Sequence, residues 1–104
     1  RVFSERKKEN KDKWVKKGAK LVANCTIVCG FTIGEYAFIA AGALINEDVP
    51  AFALYAGVPA KQIGWMTKFG ERMQLPLTGK SSYTCPATGE VYILNGSRVF
   101  VAAN

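Results

Sequence analysis

A period of six governs the first half of this chain. Val15, Leu21, Ile27, Ile33, Ile39 and Ile45 form an unbroken aliphatic series. Ala19, Cys25, Phe31, Ala37 and Ala43 each stand two residues ahead of a later member, and Val49 closes the set. An amphipathic helix would repeat its apolar positions every three and four residues, and a long strand would alternate every two, so neither fits. Gly18, Asn24, Gly30, Gly42 and Asp48 recur at the same interval, with Tyr36 as the exception. Gly, Asn and Asp are the residues that tolerate positive φ, so the unit reads as a short strand followed by a tight corner.

Three such units close a coil, and the next coil stacks on it. This predicts Val15 beneath Ile33, Leu21 beneath Ile39, Ile27 beneath Ile45 and Cys25 beneath Ala43, at the parallel-strand spacing of about 4.8 Å. Each inward aliphatic side chain then contributes about 1.5–3 kcal/mol through burial. The same register sets Phe31 beneath Val49, an oversized pair for which one corner must bulge.

The hexads, the run Ile39-Ala40-Ala41-Gly42-Ala43, the closing Glu47-Asp48-Val49-Pro50 and the following Ala56-Gly57-Val58-Pro59-Ala60-Lys61 resemble the left-handed parallel β-helix, or hexapeptide-repeat, acyltransferases. Within that family, Gln62-Ile63-Gly64-Trp65-Met66 and Gly70-Glu71-Arg72 are most similar to bacterial N-acetyltransferases of nucleotide-linked amino sugars, of the UDP-2-acetamido-3-amino-2,3-dideoxyglucuronate or dTDP-3-amino-sugar type. The resemblance spans Val15 to about Met73. It implies an all-β fold, a left-handed parallel β-helix, with the handedness coming only from the resemblance because parallel crossovers are ordinarily right-handed. It also implies acetyl transfer from acetyl-CoA to a sugar amine, in cytoplasmic synthesis of surface-polysaccharide precursors, by a homotrimer with its acyl site between subunits. Solenoid repeats need about three neighbours to bury their faces, and two coils are too few. The chain, which starts at Arg1, is therefore expected to be the C-terminal portion of a longer enzyme, or a chain trimmed to its ordered part.

In this family the acceptor amine attacks the thioester carbonyl directly. The protein then positions the reactants, shields them and supplies donors to the developing oxyanion, and no catalytic residue is named for this chain. In the resembling enzymes the pantetheine arm lies along main-chain groups of stacked corners, and the matching residues are Ala23, Ala41 and Gly42. Small residues there allow close backbone approach, and they serve tight corner packing equally well. Lys61 matches the base that meets the nucleotide phosphates. Asn46 and Glu47 match a pair that in many relatives is a polar residue followed by Lys, and a carboxylate at Glu47 would repel phosphate. The implied cosubstrate is acetyl-CoA, with no metal. Two other functions stay open: a hexapeptide-repeat transferase of another acceptor, such as a serine or a sugar hydroxyl, and a non-catalytic trimeric scaffold.

Several chemistries are excluded by what the residues lack. With no His, the chain holds no Ser-His or Cys-His nucleophile pair. No Gly-rich phosphate loop is present, and Glu35, Glu47, Asp48, Glu71 and Glu90 show no pairing suited to glycoside hydrolysis. Cys25, Cys29 and Cys85 form no CxxC pair, so reduced cysteines are expected rather than zinc. The whole charge excess lies in residues 1–20, where nine basic residues face three acidic ones. Interruption by acids and a shortage of aromatics argue against a nucleic-acid partner. The resemblance makes residues 1–14 a basic loop projecting beside the acceptor site, and a solvated loop is the alternative. No apolar run approaches the roughly 18 residues of a membrane helix, so no membrane partner is expected.

Beyond residues 15–56, which hold the coils, the rhythm stops. Ile63, Met66, Phe69 and Met73 are spaced for a short irregular helix within an extension over 57–80, although Gly64 and Gly70 weaken it. Leu75 to Gly79 reads as a linker. In the tail, 81–104, Val91 to Leu94 and Ser97 to Val101 flank Asn95-Gly96, a strong hairpin signal. That tail is expected to cover the open end of the coils or to pack on a neighbour.

Overall fold

The computed structural model describes residues 2–4 and 15–102. The basic loop expected over 1–14 therefore lies outside the described residues, except that Val2–Ser4 form strand β1. Next come β2 (Lys20–Leu21), β3 (Thr26–Val28), β4 (Phe38–Ile39), β5 (Leu44–Ile45) and β6 (Ala53–Gly57). All pair in parallel: β2 with β4, β3 with β5, and β4 with β6. A third stack consists of the single bridges Val15 to Ile33 and Ile33 to Val49. β1 lies antiparallel on the free edge of β3.

Packing follows the six-residue period. Ile27, Ile33, Ile39 and Ile45 are each at most 1% exposed and share one core cluster. Gly18, Asn24, Gly30 and Gly42 adopt positive φ at the corners, as their residue types favour. Tyr36 does so too, at φ 60°, although nothing in its chemistry favours it. Its ring supplies the compensation. It covers Gly18, where an added Cβ would stand 2.3 Å from the ring, and it stacks on Phe52 at 5.6 Å and 13°. Phe52 is itself at φ 66°, so three successive corners form one column of left-handed residues.

The next rung departs from the expected register. Ile27 pairs with Ile45, eighteen residues on, whereas Ile39 pairs with Tyr55 and Ile33 with Val49, each sixteen residues on. Val49 therefore stands on Ile33 and not on Phe31, which is only half-buried. Only Asn46, Glu47 and Asp48 link Ile45 to Val49, while five residues link Ile27 to Ile33. Asp48 is not a positive-φ corner. Its carboxylate instead accepts the Thr32 N–H at 2.9 Å. Shortening draws Pro50 and Ala51 over Gly34, where an added Cβ would lie 2.5 Å from the Ala51 nitrogen.

The described residues contain no helix, so the helix expected between Ala60 and Met73 is not formed. Those residues make β7 (Ala60–Met66), antiparallel to β6, and β8 (Arg72–Met73), antiparallel to β7. Physically, the helical spacing was misleading because Ile63 and Phe69 are 44% and 62% exposed and share no buried face with Met66 and Met73. The Gly57-Val58-Pro59 turn, with a cis Val58-Pro59 peptide, folds the chain back, and the β6 edge satisfies its backbone groups. Ile63 is the extra residue of a bulge between Gln62 and Gly64, and its carbonyl accepts a hydrogen bond from the Arg72 guanidinium. Trp65 is fully buried and donates its indole N–H to the Pro76 carbonyl at 2.8 Å.

A third sheet follows, with β10 (Val91–Gly96) between β9 (Gly79–Thr84) and β11 (Arg98–Val101). Asn95 pairs with Arg98, so the turn falls on Gly96-Ser97, one residue later than the expected Asn95-Gly96. Tyr92 meets Phe52 edge-on at 5.5 Å and 77°, which docks this sheet on the aromatic corner column of its own chain. No helix among the described residues is long and apolar enough to cross a membrane.

Candidate functional site

Two places collect residues with chemical potential. The first is the corner after β2 and β4. Ala23, Ala41 and Gly42 are all exposed there, and the Gly42 N–H donates to the Ala23 carbonyl at 3.1 Å, which sets the corners directly one above the other. Ile39 pairs with Tyr55, and Ala56 with Lys61, so β7 carries Lys61 to the same end of the sheet. Two strand spacings, about 10 Å, separate it from Ala40. Lys61 is exposed and makes no ion pair among the described residues. Chemically, this corner offers bare main chain for close approach of a ligand, with one cation nearby. Asn46 is not part of it. That residue lies at the shortened corner beyond β5, on another edge of the stack.

The second place is a groove of about 790 Å³ over the outer side of the Val15, Ile33 and Val49 stack, walled by the strand around Arg98 to Phe100. Lys16 stands at the first rung and Asp48 and Pro50 at the third, with Glu47, Tyr55 and Gln62 completing the lining. The Tyr55 hydroxyl donates to Glu47 Oε2 at 3.1 Å. Burial, then the Glu47 charge and this hydrogen bond, push the Tyr55 phenol up to about 12, so it stays a donor at neutral pH. Of the lining residues the sequence marks only Glu47 for a ligand contact, because Lys16, Tyr55, Gln62 and Arg98 come from remote segments with no shared motif.

Further cross-links hold the tail. Buried Thr67 accepts the N–H groups of Phe69 and Glu71 through Oγ1. The Tyr92 hydroxyl accepts the Lys68 N–H and donates to Glu90, which also meets the Lys68 ammonium at 3.5 Å. Burial raises the Tyr92 pKa, the Lys68 N–H opposes the shift, and Glu90 adds to it. These contacts fix the sheet of β9, β10 and β11. Among the described residues no cluster of His, Cys, Asp or Glu could hold a metal, and the cysteines form no disulfide.

Comparison with known proteins finds partial matches to acetyltransferases. Over 60 residues the chain is 42% identical to the dTDP-3-amino-3,6-dideoxy-alpha-D-galactopyranose 3-N-acetyltransferase of Aneurinibacillus thermoaerophilus, a match covering 58% of this chain and 31% of that protein. Over 41 residues it is 51% identical to the 2,3,4,5-tetrahydropyridine-2,6-dicarboxylate N-acetyltransferase of Staphylococcus aureus, covering 39% of this chain and 17% of that protein. A serine acetyltransferase solved in complex with CoA overlays with a TM-score of 0.45 and 33% identity, over 46% of this chain and 21% of that one. No family model matches. The relatives are hexapeptide-repeat acyltransferases, and the similarity of this chain is to that class. The chain spans less than a third of the length of the curated relatives it matches.

Proposed function

We propose that this chain is part of an acetyl-CoA-dependent N-acetyltransferase, built on a left-handed parallel β-helix, that acetylates the amine of a nucleotide-activated amino sugar. The observation that carries the reading is the 42% identity to the amino-sugar 3-N-acetyltransferase, and the exposed small corners Ala23 and Ala41-Gly42 supply a compatible surface. The pantetheine arm of acetyl-CoA would lie along those corners, and Lys61 would meet the CoA phosphates. Asn46, on another edge of the stack, has no contact in this reading, and neighbouring Glu47 is held by Tyr55 and brings no cation. In the reaction the neutral amine attacks the thioester carbonyl, the amine proton leaves, and the CoA thiolate departs. Main-chain donors and positioning supply the catalysis, and no side chain here is assigned as base. A cytoplasmic homotrimer with the acyl site between copies accompanies this reading.

Turnover of acetyl-CoA by the full-length protein with a panel of nucleotide-linked amino sugars tests it, and absence of acetylation across the panel would sink it. The 51% match to the tetrahydropyridine-dicarboxylate enzyme favours a second reading, transfer to a non-sugar acceptor, so that dicarboxylate belongs in the panel. Lys61→Ala should weaken CoA binding by about 1.5–3 kcal/mol with little change in stability, as calorimetry would read it. A smaller loss with dephospho-CoA would put the contact at the 3′-phosphate.

A further inference from the structure

The groove beside the Val15, Ile33 and Val49 stack is chemically unlike the bare corner of Ala23 and Gly42, and it lies on a different edge of the stack. Its lining combines Lys16 and Arg98, each without an ion pair among the described residues, with two carboxylates, Glu47, held by the Tyr55 hydroxyl, and Asp48, which accepts the Thr32 N–H. One oxygen of Glu47 receives that hydroxyl, and among the described residues the other has no donor. Gln62 adds an amide, and the exposed ring of Phe100 adds an apolar rim against which a sugar or other flat face can rest.

The signs of these charges restrict the occupant. A simple anion would gain from Lys16 and Arg98 but meet Glu47 and Asp48, and a simple cation would meet the reverse. Only a molecule carrying both signs satisfies both sets at once. From this arrangement we infer that the groove is a small-molecule binding site, separate from the acetyl-CoA corner, for a compound that bears both an ammonium and a phosphate or carboxylate. The anionic group sits between Lys16 and Arg98, and the ammonium donates to Glu47. Since Arg98 belongs to β11 while Lys16, Glu47 and Tyr55 belong to the stacked rungs, the ligand ties the tail sheet to the rungs.

The test uses the whole protein, amide-resolved NMR and four probes: glucosamine 6-phosphate, glucose 6-phosphate, glucosamine and 2,6-diaminopimelate. Glucosamine 6-phosphate should shift the amides of residues 47–49, 62 and 97–100. Glucose 6-phosphate and glucosamine should each bind about tenfold more weakly, the scale of one charge-assisted contact. Tighter binding of diaminopimelate than of glucosamine 6-phosphate would assign the anion as a carboxylate, and the opposite order would assign it as a phosphate. Glu47→Gln should erase the advantage of glucosamine 6-phosphate over glucose 6-phosphate. Arg98→Ala should weaken both phosphates alike and leave their ratio unchanged. Equal affinity for the amino and non-amino sugar phosphates, or shifts confined to the Lys61 end of the sheet, would overturn the assignment. None of these readouts depends on acetyl transfer, so the result stands apart from the proposed activity.

Discussion

Two corners of this chain do the same job with different lengths of backbone. Between Ile27 and Ile33 the chain uses five residues, turns through Gly30 at φ 98°, and leaves Phe31 half outside. Between Ile45 and Val49 it uses three, with no left-handed residue, and Asp48 reaches across to take the Thr32 N–H. Both deliver the next inward side chain to the same stack, since Val15, Ile33 and Val49 are bridged in line. The lesson is that the inward aliphatic series sets the register, while corner length is adjustable when something else satisfies the backbone. Shortening has a consequence on the rung below, where Gly34 must stay without a side chain.

Substitutions can break this comparison at different strengths. The largest effect should come from Ile33→Asp, which puts an unpaired charge at a position with 0% exposure common to both corners. A loss of about 4 kcal/mol or more, enough to prevent folding, is expected in circular dichroism. Glu35→Ala, at an exposed position, should leave the spectrum and melt unchanged, and comparable damage from both would refute the register. Next, Gly34→Ala should cost about 2–3 kcal/mol in denaturant unfolding, because backbone at 2.5 Å cannot move aside cheaply. Gly30→Ala at the longer corner should cost only about 1 kcal/mol, from its positive φ with open space around it. Equal losses at the two glycines would mean that the short corner is not tight.

Smaller effects concern the side chains above the short corner. Tyr92→Phe removes a hydroxyl that accepts from Lys68 and donates to Glu90, and should cost about 1–2 kcal/mol. Tyr55 gives the least change in stability and the clearest titration. Its pKa is raised from 10.0 to about 12, so the stability from keeping the phenol neutral is complete below about pH 10 and is lost as pH rises toward 12. In Glu47→Gln the phenol should titrate lower, although burial keeps it above its ordinary value. Ultraviolet difference titration against Tyr55→Phe would resolve it, and an unchanged midpoint would deny the Glu47 contribution.

The parallel pairing was legible because an inward residue every six positions leaves few other ways to bury Ile27, Ile33, Ile39 and Ile45 together. The slip by two residues was not. Val49 falls on the expected six-residue interval, and only the path of Pro50 and Ala51 over Gly34 reveals that it caps Ile33. The region after Gly57 was misread for a different reason: an antiparallel strand with a bulge carries no steady period, and Gly64 is there because the Arg72 guanidinium lies across it. Strand β9 escaped notice because Gly79 to Thr84 is almost wholly exposed and shows no apolar alternation. At the corner proposed for acetyl-CoA, Ala23, Ala41, Gly42 and Lys61 are named through family likeness. Residues such as Lys16, Tyr55 and Arg98 meet only through the fold.

The reversal at Gly57-Val58-Pro59 matters beyond the packing it creates. A pile of like rungs presents, at its last strand, the same open ladder that every earlier rung used to recruit the next, and nothing in the repeat itself limits the pile. Another molecule's rung could continue it. By turning β7 back along β6, the chain spends that ladder on itself and leaves β8, two residues long, as the outermost strand. So short an edge is a poor template for a newcomer. On this sheet the turn acts as a chain terminator, and it favours discrete particles over filaments.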